Sequence, residues 1–401
     1  MEHESDSKNI SALGLKNTSA LFNSQALYFF YYMAAGSYIP FIYLYFERLG
    51  LNGVQIGTLA ALPVLITAST SLFWSGTADA LHWHQRILRI SLFLSPMAVF
   101  LLSRVTTMAL LILMIVVFAL FSSPIVPLLD SFALKTAARN GRSYGALRLW
   151  GSVGWAISTV FIGWLIQLLG IHWLFYGYMI FMTFALIISF FQPRQQSIPK
   201  SSIRSGLKDL LSNKMYILFL VSVFLLVVSS SGVLTFLSIF MDSIGTKEGL
   251  IGLGWALSAV SEVPVMMLSG RVMGKIGSKG LLMIAFIMFA IRWMLLSFVH
   301  TPFWALTIQL LHGPSFASFL VGSVTFIQER TPEGLNTTAL AFFNPVTYGL
   351  GSIVGSLLGG YLLDKVGMSV LFQIFSVFAA GSLLFFIAGQ RNSPQPVIST
   401  K

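Results

Sequence analysis

Runs of about twenty consecutive apolar residues, separated by short polar stretches, recur along the whole of this 401-residue chain. A run of that length is what an α-helix needs to cross the ~30 Å hydrocarbon core of a bilayer. A helix also satisfies its own backbone polar groups there, which an open strand cannot do. Twelve such segments can be placed, the first near 24–47 and the last near 367–390. The fold class read from the sequence is an all-α membrane protein with twelve transmembrane helices. Only 9% of the residues are charged and 56% are hydrophobic. Soluble chains carry about a quarter charged residues, so this one cannot cover a water-facing surface. A soluble enzyme, a nucleic-acid binder and a disordered chain are excluded on that ground. The chain has no cysteine, hence no disulfide, no thiolate nucleophile and no thiolate metal ligand. Its polar first twenty residues predict no cleavable signal peptide, with the first membrane helix serving as the insertion signal.

The longest polar gap divides the chain. We expect a tail over 1–23, a six-helix bundle over 24–191, a linker over 192–214, a second six-helix bundle over 215–390 and a tail over 391–401. The net charge of +11 is a topology signal rather than a nucleic-acid footprint. Basic residues crowd into the linker, the tails and the loops on their side, while only Arg48, Arg104, Lys247 and Lys365 fall in loops on the other side. The positive-inside bias then places both termini in the cytoplasm. The expected location is a bacterial-type plasma membrane, with the bilayer, protons and a small solute as partners and no nucleic acid. A monomer is expected.

The halves repeat. Gly50 and Gly57 recur as Gly245 and Gly252, and Gly154, Gly163 and Gly170 recur as Gly351, Gly360 and Gly367. Two similar six-helix halves are transporter architecture. Pro40, Pro63, Pro96, Pro124, Pro127, Pro264, Pro314 and Pro345 interrupt or border the spans, each freeing a carbonyl that something else must satisfy.

Ionisable groups inside a bilayer cost roughly 3 kcal/mol or more at a helix centre, so the few present mark function by default. Asp130 and Arg148 flank the turn between the fourth and fifth spans, where an acceptor and a planar fork of donors can hold a polar solute from two sides. Trp155 follows Arg148 by two helical turns on the same face and offers an indole platform for a ring. A structural Asp–Arg bridge with Trp155 as packing is the alternative. Glu262, Arg292 and His312 share the second half, and a carboxyl, a guanidinium and an imidazole make a proton relay or else a buried network that ties helices together. Asp79, Arg86 and Lys275 sit in matching turns after the second and eighth spans, where they either gate the cytoplasmic side or simply obey the charge bias. His82 and His84 have no carboxylate cluster around them, so no metal site is expected. HExxH, GxSxG, GxxxxGK[ST] and GxGxxG are all absent, so neither an enzyme nor an ATP-driven pump is expected and no cofactor is implied.

Gly270-Arg-Val-Met-Gly274-Lys275-Ile-Gly277-Ser-Lys279, and its weaker copy with Ser75, Asp79, Ala80 and His82, resemble the cytoplasmic loop motif of the major facilitator superfamily. Gly36-Ser-Tyr38-Ile-Pro40, Pro127-Leu-Leu-Asp130 and Tyr144-Gly-Ala-Leu-Arg148 continuing to Trp155 are similar to its lactose-permease group. Ser261-Glu262-Val263-Pro264 is similar to the related phenylpropionate-permease-like group. The resemblance implies a sugar site at Asp130, Arg148 and Trp155. It implies a proton-coupling role for Arg292 and His312 and an eighth-helix acid at Glu262. Ser315 stands where the lactose-permease group has a further acid after the histidine, which either throws proton release onto Glu262 or else removes symport. The function expected is proton-coupled uptake of a sugar or glycoside by alternating access. An aromatic carboxylate as solute and an efflux antiporter of the same fold stay open.

Overall fold

The computed structural model describes residues 2–192, 212–331 and 335–391. Most of the predicted linker and the tail beyond 391 lie outside these residues. The described elements are helical throughout, in the order α1 (Glu2–Arg48), α2 (Gly53–Ala80), α3 (His84–Leu102), α4 (Met108–Ser122), α5 (Ile125–Arg139), α6 (Tyr144–Leu169), α7 (Trp173–Ser189), α8 (Lys214–Ser243), α9 (Glu248–Leu296), α10 (Pro302–Gln309), α11 (Ser318–Arg330), α12 (Asn336–Asn344) and α13 (Ser352–Arg391). Among the described residues, eight helical stretches are long and apolar enough to cross a membrane, and Trp173–Ser189 is a shorter apolar helix. Two of the eight run on for 49 and 53 residues because they bend rather than stop. Gly277 inside α9 (φ 70°) and Gly367 inside α13 (φ 78°) turn the chain back. Each long stretch is therefore two passes, which makes ten, and with α1 and the shorter α7 the described residues supply the twelve expected spans.

Local chemistry sets the interruptions. α4 yields to α5 at Pro124, whose nitrogen cannot donate to a preceding turn. Pro314 and Pro345 each sit in a single π-turn, Gly313–Ala317 and Pro345–Gly351, where an extra residue per turn accommodates the ring and reopens the helical ladder. Left-handed corners recur at the repeat spacing: Gly50 with Gly245, His82 with Gly277, Gly170 with Gly367. His82 is the one non-glycine residue at positive φ (52°) among the described residues.

The chain forms two compact units. The first comprises the described residues within 1–50, 65–199 and 245–259, the second those within 51–64, 200–244 and 260–401. Each unit thus takes a short segment from the other half of the sequence.

In the first unit, α1 packs against α6 and α7. The contact face of α6 carries Gly151, Gly154 and Ser158 at helical spacing. Gly154 lies directly under the Phe29 carbonyl, and Ser158 Oγ donates to the Met33 carbonyl at 2.6 Å. The borrowed segment, the start of α9, packs on the far end of α6. A Cβ on Gly252 would strike the Thr159 carbonyl, Gln167 Oε1 accepts from Gly249 N at 3.4 Å, and Glu248 pairs with Arg48 at 2.8 Å.

In the second unit, α13 packs along α8. Its glycine stripe meets that helix, Gly355 at the Val228 carbonyl and Gly359 at Gly232, with Thr235 and Ser356 hydroxyls bonded at 3.2 Å. The borrowed segment, the start of α2, lies on the far end of α13. A Cβ on Gly57 would strike the Ser356 carbonyl, and the Asp364 carboxylate accepts from Gly53 N (2.7 Å) and Val54 N (2.9 Å). The two junctions are copies of each other. Gly57 on Ser356 and Gly252 on Thr159 stand at equivalent repeat positions, as do the acceptors Asp364 and Gln167.

Candidate solute and proton sites

Ser143 starts α6, its hydroxyl accepting from Ala146 N at 3.3 Å as an N-cap. From that start Tyr144, Arg148, Trp155 and Thr159 fall on one stripe of the helix. Asp130, a half-buried residue of α5, faces the first turn of that stripe. It does not bridge directly to Arg148. Tyr144 stands between them, donating its phenol proton to Asp130 Oδ1 at 2.8 Å and accepting from Arg148 NH1 at 3.0 Å. A second phenol, Tyr28 of α1, donates to the same Oδ1. Asp130 Oδ2 has no partner among the described residues, and neither does the rest of the Arg148 fork, which is exposed. A carboxylate oxygen and a guanidinium edge are therefore both presented and both held in place. The phenols orient the acid. Sequence reasoning brought Asp130 and Arg148 together but missed Tyr28 and Tyr144.

Trp155 lies two turns further along, about 10 Å at 1.5 Å per residue. α1 clamps its backbone from behind, since a Cβ on Gly36 would already sit 3.0 Å from the Trp155 carbonyl oxygen. Its half-buried indole meets Trp255 of α9 edge-to-face, with centroids 6.3 Å apart and planes at 66°.

In the second unit the three groups expected to form a relay do meet. Arg292 is fully buried. Its NH1 reaches His312 Nδ1 at 2.6 Å, and its NH2 donates to Gln309 Oε1 at 2.6 Å. A guanidinium only donates, so Nδ1 must accept and the imidazole proton sits on Nε2. That Nε2 lies 3.1 Å from Glu262 Oε1, which accepts its proton. The tautomer is thus assigned by the arginine, and the order is Gln309–Arg292–His312–Glu262. Aromatic rings flank it, Trp293 under the guanidinium at 4.7 Å and Phe316 stacked on the imidazole at 5.2 Å. Backbone approach makes the meeting possible. Gly313 lies so close to Ser261 that a Cβ would strike the Ser261 carbonyl, and Gly313 N donates to Ser261 Oγ at 2.8 Å. Ser315 is buried and bonds back to the Leu311 and His312 carbonyls, both at 2.9 Å.

Asp79 pairs with His84 at 3.0 Å, a partner on its own turn. Arg86 lies over the Trp83 ring at 5.3 Å, and Lys275 is exposed.

Comparison with known proteins gives a consistent answer. The MFS_1 like family matches residues 21–374. The chain is similar to a maltose permease of Geobacillus stearothermophilus, 28% identical over 369 residues that cover 91% of this chain and 93% of the relative. It is similar to a probable 3-phenylpropionic acid transporter of Escherichia coli K12, 24% identical with 86% and 91% covered. Among solved structures, the nucleoside transporter NupG superposes with a TM-score of 0.78 at 18% identity, covering 93% of this chain and all of that one.

Proposed function

Because this chain belongs to the MFS_1 like family, whose members are transporters and not enzymes, we propose that it takes up a sugar or glycoside together with a proton across a bacterial plasma membrane. Both termini then face the cytoplasm, as the distribution of basic residues supports. The bundles over 24–191 and 215–390, joined by the 192–214 linker, alternate access to the solute as a monomer. Asp130, Arg148 and Trp155 form the solute site, and the open Oδ2 and guanidinium edge suit hydroxyls while the indole suits an apolar sugar face. Glu262 carries the proton, with His312 and Arg292 tuning it. Asp79, Arg86 and Lys275 gate the cytoplasmic turns.

The observation that carries the coupling is the Arg292–His312–Glu262 chain. Protonating Glu262 removes the charge that accepts the His312 Nε2 proton and so loosens α9 from the π-turn at Gly313. Loss of that proton restores the bond, and one carboxyl thereby links proton occupancy to helix packing. An aromatic carboxylate is the second reading, favoured by the unpaired edge of Arg148, which matches a carboxylate bidentately.

Maltose is the first probe, given the relative's name. Proteoliposomes with an inward proton gradient should accumulate it, and Glu262→Gln should abolish accumulation while leaving maltose exchange intact. Accumulation that survives Glu262→Gln removes Glu262 as the carrier. Saturable uptake of a phenyl-substituted acid and none of maltose moves the assignment to the second reading.

A further inference from the structure

We propose that Arg86 and Arg89, at the start of α3, bind the phosphate of an anionic glycerophospholipid whose acyl chains lie along α3 and α7. The inference needs only the membrane-spanning fold and is independent of the solute and of proton coupling.

The two arginines are three residues apart, so one side of the helix carries both, with Cβ atoms about 5–6 Å apart. Each is seated on a ring, Arg86 over Trp83 at 5.3 Å and Arg89 over Phe190, just past the end of α7, at 4.6 Å. Arg89 NH2 also donates to the Ser189 carbonyl at 3.3 Å, while its Nε is buried and meets no acceptor. Neither guanidinium has a carboxylate partner among the described residues, and Asp79, the carboxylate of that turn, is engaged by His84 at 3.0 Å. Adjacent like charges on a helix repel each other. The rings and the carbonyl hold these two in place without neutralising them. Two planar forks at that spacing can share the oxygens of one phosphodiester. The first turn of α3 adds to this, since it has no side-chain cap and no acid, and its dipole favours an anion.

The surroundings select a lipid over a free phosphate. Trp83 and Phe190 are both exposed, and α3 continues the Arg86 face as the exposed Ile90, Phe93 and Met97. At 3.6 residues per turn these form one stripe. The neighbouring α7, which packs against α3, exposes Phe184 and Ile187. A headgroup on the two arginines therefore finds apolar surface for its chains next along both helices. Trp83 stands at headgroup level, where indoles concentrate. Basic pockets between membrane helices recognise anionic headgroups through this combination. A free phosphate gains nothing from the apolar stripes.

The test titrates the purified full chain in detergent with dioleoylphosphatidylglycerol and with dioleoylphosphatidylcholine, reading the first bound lipid by native mass spectrometry. The wild type should bind the anionic lipid about tenfold more tightly or better, and Arg86→Gln and Arg89→Gln should each lower that preference about fivefold, the loss of one arginine from an anionic contact. Arg142→Gln removes an exposed charge from the turn between α5 and α6, which the distribution of basic residues puts on the same side of the membrane, and should leave the preference within about twofold. Arg89→Lys keeps the charge but loses the fork. It should retain part of the preference and covers the case in which Arg89→Gln folds poorly. A purely structural role for Arg89 lowers the thermal midpoint while the ratio of the two lipid affinities stays as in the wild type, and that result overturns the site. Equal affinity for the two lipids overturns it, as does an equal loss in Arg142→Gln, which would reduce the effect to general attraction by a basic surface. Inorganic phosphate at millimolar concentration should not displace the lipid; displacement would make this a site for a free anion and overturn the lipid assignment.

Discussion

A single left-handed residue shows how the two halves have parted. The corner after α2 places His82 at φ 52°, where the second copy places Gly277 at φ 70°. A non-glycine residue there suffers a Cβ–carbonyl clash of about 1–2 kcal/mol. Glycine relieves the clash but adds roughly 0.5–1 kcal/mol of unfolded-state entropy to be lost. His82 is exposed, so its side chain adds little to offset the clash. His82→Gly should therefore raise the thermal midpoint in detergent, by about 1–2 °C for a chain of this size; an unchanged or lower midpoint would show that the imidazole makes a contact worth more than the strain. The same scale decides how far the site could be read in advance. Arg292, His312 and Glu262 are conspicuous because charge in a membrane span is costly. Tyr28, Tyr144 and Gln309 are not, because phenols and amides in such spans commonly serve packing. The i, i+4 spacing of Tyr144 and Arg148 was the available signal.

At the scale of helices, α9 carries its glycines for opposite reasons. Gly252 allows a backbone approach that no side chain permits, whereas Gly270 has open space around its Cα. Gly252→Ala forces α9 away from α6 and should cost on the order of 1–3 kcal/mol through overpacking. Gly270→Ala should be neutral or stabilising by up to about 1 kcal/mol through helix propensity. The thermal midpoint should fall for Gly252→Ala and hold or rise for Gly270→Ala, and equal losses would refute the distinction. Span count and proline interruptions were legible in the sequence because apolar length and proline chemistry are local. The π-turns were not, since proline marks where a ladder breaks but leaves the repair to the neighbouring helix. The approach of Gly313 to Ser261 was hidden for the same reason.

On the scale of the molecule, the repeat was visible as glycines in shared register, and the structure converts those glycines into paired junctions. The junctions are equal in geometry and unequal in charge. Asp364 caps two amides at the start of α2, and Gln167 caps one at the start of α9. A carboxylate at a helix N-terminus gains from both the hydrogen bonds and the dipole, an amide from one weak bond. Asp364→Ala should thus cost about 1–2 kcal/mol and Gln167→Ala a few tenths, read from chemical-denaturant or thermal midpoints; a larger loss at Gln167 would reverse the ranking. Sequence could not foresee that residues 51–64 and 245–259 each join the opposite half, because a segment's hydrophobicity does not say which neighbour will bury it.

That exchange of segments has a consequence for assembly. Severed within 192–214, the chain would yield two pieces, and neither would contain everything its own compact unit requires. Each would hold the strap that the other lacks. Each compact unit is therefore complete only when residues from both halves of the chain are present.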